Sequence, residues 1–482
     1  MLPAFLTAQR RLLQQHGASA AAALTSGSVR HASGGAAASV DGVPVQVRER
    51  AASLLLGPPP PSLPSPLPLT RPLPFPSTKP RNHKNPNPNS NSNQIRLKTK
   101  NSNQVYNPSG AKRVVVTKDL PGQRWVDILT AAGCRVEVCA SPDVILSNQT
   151  IKKLIGDRCD GVVGQLTEDW GAELFGALKK AGGAAYSNYA VGYNNVRVPE
   201  ASKLGIAVGN TPGVLTETTA ELAAALTLAA ARRVPEADVF MRAGRYQGWL
   251  PTLFVGQLLQ GKTVGIIGAG RIGAAYARMM VEGHKMNLVY YDPYPNDKLE
   301  AYVRDYGGLL RHHGEAPVAA RRVATVEEVL KEADVVSLHC NLDDSTRHLI
   351  NAQRLKMMKP TAVLVNAARG PCIDESALVA HLKANPDFRC GLDVFEDEPA
   401  MKPGLADCPN AVIVPHIASA SAWTREGMAT LAAANVAAIV GRGKKAWNKA
   451  DVGPYLDGPV ASIPPSAPSI VNAKEVGVEV VA

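Results

Sequence analysis

The sequence predicts an α/β protein of two doubly wound, parallel-sheet domains behind a disordered, basic N-terminal tail. Three observations carry that expectation. Short apolar runs alternate with helical patterns from about residue 105 onward, as sheets with helices on both faces require. A glycine-rich turn, Gly268-Ala-Gly270-Arg-Ile-Gly273, joins one such run to a helix. Residues 1–104 carry a net charge of +10 out of the +11 of the whole 482-residue chain. The folded part is therefore nearly neutral, and the tail has neither aromatic interleaving nor a motif to support a nucleic-acid role.

Taken in order, residues 1–40 hold no acid but include Arg10, Arg11 and Arg30 and a short amphipathic stretch at 2–15. That composition fits an organellar presequence better than a secretory signal, because no compact apolar segment is present. Thirteen prolines at 58–88, followed by a stretch rich in asparagine and serine, read as an extended linker. Residues 113–117, 135–138, 161–164 and 206–208 read as strands of a first unit, and 218–241 as one long apolar helix between two domains. Strands follow at 262–267, 287–291, 335–338, 362–365, 390–394 and 411–414. A last helix at 423–440 is expected to return to the first unit. The expected domains are 1–104 (tail), 105–213 (first part of a substrate domain), 214–416 (dinucleotide domain), 417–445 (second part of the substrate domain) and 446–482 (C-terminal tail). All seven cysteines lie beyond the N-terminal tail, with no C-x-x-C pair and no zinc-ligand spacing, so free thiols and no metal are expected. No apolar run reaches the roughly 18 residues needed to span a bilayer.

The glycine turn names a cofactor. Gly268 permits the tight turn, Gly270 lets the backbone approach a pyrophosphate, and Gly273 lets helix and strand pack closely. The helix start beyond them offers free N–H groups to phosphates. A second strand ends in Asp292, placed to hydrogen-bond an adenosine ribose and to repel a 2′-phosphate, so NADH is expected over NADPH. Hydride exchange with a carbonyl further needs a cation for a carboxylate, a proton donor, and a group that orients the donor. Strand ends supply Arg369, His416 and Glu398. Arginine has the planar fork, histidine titrates near neutrality, and a carboxylate orients and charges the imidazole.

The trio downstream of GAGRIG, with the stretches LVNAARGPCIDESAL and GLDVFEDEP, resembles the D-isomer-specific 2-hydroxyacid dehydrogenases. Within that family, VYNPSG, GQLTEDWG, VGYNNV, GNTPGVLTETTAELAAAL, ARMMVEGHKMNL and PHIASASAWTREGMATLAA resemble the NADH-dependent hydroxypyruvate reductases of plants and green algae. The resemblance implies a discontinuous flavodoxin-like substrate domain and a Rossmann NAD domain. It implies reduction of hydroxypyruvate to D-glycerate, and of glyoxylate to glycolate, within photorespiratory glycolate metabolism. It assigns Arg369 to the substrate carboxylate and carbonyl, His416 to acid/base work and Glu398 to its support. Leu166, Val191, Gly192 and Ser419 would line the substrate. Arg271 and Ile272 would join the glycines over the pyrophosphate, Thr219 would sit near the phosphates, and His339 and Cys340 would lie along the adenosine. Asp393 would sit near the nicotinamide carboxamide, with Ala367 a further cofactor contact. Cys340 departs from the small apolar residue or proline frequent there. A homodimer with a 2-oxo acid substrate, and no nucleic-acid or membrane partner, is also implied.

Two rivals remain open: another family member such as 3-phosphoglycerate dehydrogenase, and a non-enzymatic NAD-sensing co-repressor scaffold. The peroxisomal plant forms end in Ser-Lys-Leu, whereas this chain ends Glu-Val-Val-Ala. With the basic tail, that makes the mitochondrion the expected compartment, ahead of peroxisome, chloroplast or cytosol.

Overall fold

The computed structural model describes residues 103–140, 144–449 and 451–481. The expected presequence, linker and disorder of the N-terminal tail lie outside the described residues.

The first sheet contains β1 (Gln104–Tyr106), β2 (Lys112–Val116), β3 (Cys134–Val138), β4 (Gly161–Gly164), β5 (Ala185–Asn188) and β6 (Ala207–Gly209). Its order is β1-β3-β2-β4-β5-β6, with β1 antiparallel to β3 and every other pairing parallel. The second sheet contains β7 (Thr263–Ile267), β8 (Asn287–Tyr291), β9 (Ala320–Arg322), β10 (Val335–Leu338), β11 (Val363–Asn366), β12 (Arg389–Leu392) and β13 (Ala411–Ile413). It is parallel throughout, in the order β13-β12-β11-β10-β7-β8-β9. In each sheet the strand order reverses once, between β2 and β4 and between β7 and β10, and open α/β sheets bind ligands outside such points.

Three strands, β1, β5 and β9, carry too little pattern to be read from sequence. β5 is the sequence AYSN with all four residues buried, so its strand character comes from cover on both faces and not from alternation. The single helix expected at 218–241 is instead two, Thr216–Ala231 and Val234–Arg242. Pro235 lacks the N–H that would reach the Ala231 carbonyl, and its ring would crowd that oxygen. Arg233 turns the chain in the left-handed region at φ 57°, and the freed Ala231 carbonyl accepts the Gln257 N–H at 2.9 Å.

The helix Thr216–Ala231 lies on the second sheet. A Cβ on Gly391 of β12 would stand 2.8 Å from the Leu226 Cβ, so a side chain there would push the helix off. The helix also packs on Arg271–His284, where buried Thr227 and Tyr276 share a hydroxyl hydrogen bond of 2.8 Å. The helix Ala422–Ala437 returns to the first sheet, and its buried Asn435 amide donates to the Asn210 carbonyl at 2.9 Å.

Residues beyond 445 differ from the expected C-terminal tail. Tyr455, Ala467 and Ile470 are buried in the core of the first sheet. Val208 of β6 donates to the Asn472 side-chain oxygen at 2.8 Å, and the Asn472 amide donates to the Ile206 carbonyl at 3.0 Å. The segment therefore covers an edge strand that would otherwise present unpaired backbone groups. No described helix is long and apolar enough to cross a membrane.

Candidate active site

Each of the three chemical side chains follows a strand of the second sheet. Asn366 closes β11 and shapes the turn after it, accepting the Ala368 N–H at 3.0 Å and donating to the Arg369 carbonyl at 2.9 Å. The turn sends the Arg369 side chain across to the first lobe. A Cβ on Gly192 would sit 1.5 Å from Arg369 Nη2, so only glycine leaves room for the guanidinium there. Among the described residues the Val191 and Gly192 N–H groups meet no acceptor. Val191, Gly192 and Arg369 thus form one wall, with donors from both lobes.

His416 lies past β13 at φ 52°, an uncommon conformation for a residue with a side chain. The buried carboxylate of Asp393 holds that loop by accepting the N–H groups of Ile417 at 2.6 Å and Ala418 at 3.0 Å. His416 Nδ1 meets Glu398 Oε2 at 2.9 Å, and the other Glu398 oxygen accepts the Phe395 N–H at 3.0 Å. Burial opposes ionisation of Glu398. The hydrogen bond and charge of His416, with the Phe395 N–H and Arg369, outweigh it and hold the carboxyl below its ordinary range. Burial depresses the Arg369 guanidinium against the opposing pull of Glu398.

Between β7 and β10 opens a cleft of about 860 Å³ lined by Gly268, Gly270, Asp292, Asn296, His339 and Cys340 among others. Gly268 has φ 95°, and a Cβ there would strike the Cys340 nitrogen at 2.7 Å. A Cβ on Gly273 would fall 2.1 Å from the Gly268 carbonyl oxygen, while one on Gly270 would meet nothing within 4 Å. The first and third glycines are needed for packing, and the second leaves the approach open.

A model of the D-isomer specific 2-hydroxyacid dehydrogenase NAD binding domain matches residues 224–418. The glycerate dehydrogenase of Cucumis sativus is 64% identical over 375 residues, 78% of this chain and 98% of the relative. The peroxisomal glycerate dehydrogenase HPR of Arabidopsis thaliana is 64% identical over 380 residues, 79% of this chain and 98% of the relative. The chain belongs to the D-isomer specific 2-hydroxyacid dehydrogenase family. The crystal structure of a glyoxylate reductase from Paecilomyes thermophila aligns with a TM-score of 0.58 at 28% identity, covering 70% of this chain and 97% of that one.

As a member of this family the chain is an enzyme with an NAD-binding domain, and the structure brings only some of its expected site residues together. Arg369, Val191 and Gly192 meet at one wall, and His416 and Glu398 are paired. Gly268, Gly270, Asp292, His339 and Cys340 line the cleft. Arg271, Ile272, Thr219, Ala367 and Asp393 are outside its lining, and Thr219, Ala367 and Asp393 are buried. Leu166 is partly exposed on the loop after β4, and Ser419 follows His416 in the loop that Asp393 braces. Asp292 is already engaged, accepting the Ala269 N–H at 2.8 Å and the Tyr294 N–H at 2.9 Å.

Sequence reasoning passed over Asn194. Its amide donates to the Leu342 carbonyl at 3.1 Å, and its oxygen faces Arg369 Nε at 3.4 Å, so it ties the first lobe to the second beside the arginine. The signal was present in VGYNNV, where two adjacent asparagines stand in a loop after a strand.

Proposed function

We propose that this enzyme reduces hydroxypyruvate to D-glycerate with NADH, and glyoxylate to glycolate, using Arg369, His416 and Glu398. The observation that carries the reading is the cross-lobe wall of Arg369 on Gly192, together with the His416–Glu398 pair. Arg369 holds the substrate carboxylate in its fork, and the Val191 and Gly192 N–H groups add donors on the same side. His416 gives the proton to the carbonyl oxygen from Nε2, because Nδ1 is engaged with Glu398. Glu398 keeps the ring in that orientation through the Nδ1 contact. The nicotinamide, when bound, supplies the hydride to the carbonyl carbon. Gly268, Gly270 and Gly273 with the amides at Arg271 and Ile272 would hold the pyrophosphate, and Asp292 the ribose.

A carboxylate at position 292 disfavours the extra phosphate of NADPH. The Arg322 guanidinium, donating to the Asp292 and Pro293 carbonyls, stands close enough to soften that exclusion. The exposed apolar stretch that includes Val239, Trp249, Leu250, Val255 and Leu258 supports a homodimer. The comparisons lend the mitochondrial expectation no support, and the Arabidopsis relative's name favours the peroxisome. Steady-state turnover of hydroxypyruvate and glyoxylate with NADH and with NADPH tests the reading. No oxidation of NADH with either acid would remove it and favour the scaffold.

A further inference from the structure

We propose that Cys340 and Cys372 are a modification site: a dithiol at the edge of the cofactor cleft that low-molecular-weight disulfides oxidise to a reversible cross-link. Their Sγ atoms lie 4.0 Å apart, the one thiol–thiol hydrogen bond among the described residues. Cys340 stands two residues past β10, is partly exposed and lines the cleft. Cys372 is fully buried and ends the short turn Gly370–Cys372 that begins directly after Arg369. Its N–H donates to the Arg369 carbonyl at 3.2 Å, and its own carbonyl accepts the Ile350 N–H at 3.0 Å. A disulfide needs the sulfurs about 2.05 Å apart, so they must close by roughly 2 Å.

The surroundings divide the roles of the two thiols. The hydrogen bond from Cys340 lowers the Cys372 thiol against the opposing effect of burial, with the Arg369 charge helping, while the same bond and burial raise Cys340. The sulfur that carries more thiolate character is therefore the enclosed one, and its partner is the one that meets the cleft. The accessible Cys340 sulfur, its proton released, attacks one sulfur of the small disulfide and expels a thiolate. Cys372 Sγ, its own proton released, then attacks Cys340 Sγ and expels the second. Two S–H bonds and one S–S bond break, one S–S bond forms, and the small disulfide leaves as two thiols with two electrons and both protons.

The cross-link joins two turns on which the site depends. The Cys340 backbone packs so closely on Gly268 that a Cβ there would strike its nitrogen at 2.7 Å, and Cys372 is bonded to Arg369. Drawing the sulfurs together distorts the dinucleotide turn and the arginine turn at once, and a dinucleotide in the cleft covers Cys340. The loss of turnover rests on the dehydrogenase reading, but the cross-link does not. The test incubates the full chain with oxidised glutathione, with and without NADH, and reads both peptide masses and NADH-dependent turnover. The expected result is a 340–372 peptide pair lighter by two hydrogens, formed more slowly with NADH and reversed by dithiothreitol, with most activity lost and regained in step. Cys372→Ala should keep its starting activity and form no such pair. Two free thiols after oxidation, or equal inactivation of Cys372→Ala, would overturn the proposal. A cross-link in a chain that never turns over would leave the site standing and remove only the proposed substrate.

Discussion

A lysine at position 369 keeps a positive charge at the junction of the lobes and loses the planar fork. Lysine presents a point charge, so the proposed two-point grip on a carboxylate goes while the cleft beyond β7 is untouched. Arg369→Lys should therefore lower kcat/KM for hydroxypyruvate at least about tenfold, roughly 1.4 kcal/mol of transition-state stabilisation, with NADH affinity nearly unchanged. A smaller loss removes Arg369 from substrate binding. Glu398 yields a pH prediction. Its carboxyl is held below the ordinary range by His416 in spite of burial, so it is ionised throughout the neutral range. The stability it adds is present above the unfolded carboxyl value of about 4.3 and is lost as pH falls through the lower folded value. Glu398→Gln should thus unfold at lower temperature than wild type at pH 7, with the gap shrinking in acid. On the proposed mechanism its kcat for reduction should also fall, because the His416 ring loses the partner that orients it. Equal melting temperatures at pH 7 together with an unchanged kcat would leave Glu398 without a role. At this scale the sequence pointed to rare side chains at strand ends, and the structure does place Arg369 after β11 and His416 after β13. Asn194 was marked only by the paired asparagines of VGYNNV and Asn366 by nothing, because their bonds to Leu342 and to the Arg369 turn exist only once the loops have met.

Strand, turn and helix act together in the unit from Thr263 to His284. Helix Arg271–His284 crosses β7 so closely that the Gly268 carbonyl occupies the space a Cβ on residue 273 would need. Gly273→Ala must move the turn or the helix, and both present the cleft. The expected outcome is a weaker NADH complex, with Kd raised by about tenfold or more, roughly 1.4 kcal/mol, measured by fluorescence titration. Gly270→Ala meets nothing within the protein, so it should fold normally and lose NADH affinity only by blocking the close approach. If Gly273→Ala bound NADH like wild type, the helix–strand contact would not set the cleft. Elements of this kind are readable because a five-residue buried strand followed by three spaced glycines has few other uses. The break at Arg233 was less readable, since the apolar pattern runs on through it. Pro235 was the clue, and its effect depends on the Ala231 carbonyl finding Gln257 as a new donor. The segment after residue 445 was unreadable for a related reason. It has no periodicity, and it is held by side-chain to backbone bonds such as Asn472 to Val208, across 264 residues of chain.

The described part of the molecule has two lobes, and contacts near the site fasten one to the other. Asn194 reaches the Leu342 carbonyl, and Thr218 shares a 2.7 Å hydroxyl hydrogen bond with Thr424 at the start of the returning helix. Neither contact covers the apolar surface that begins at helix Val234–Arg242 and runs on past residue 255. Trp249 is 80% exposed there, with Val239, Leu250, Val255 and Leu258 also exposed. A fully buried side chain of this size contributes about 1.5–3 kcal/mol relative to an exposed one, so five in one interface can sustain a stable pair. Exposed apolar side chains grouped in this way along the chain are a candidate interaction site, and on the dimer reading a second copy of the chain would cover them symmetrically. In sedimentation the wild-type chain should run at twice its 50.9 kDa mass. Trp249→Glu combined with Leu258→Glu should run as a monomer, since closing the interface would desolvate two charges without partners. The far-ultraviolet circular dichroism of the variant should match wild type, because neither side chain is part of a core. A double variant that stays dimeric places the interface elsewhere on the chain, and a wild-type monomer removes the dimer altogether.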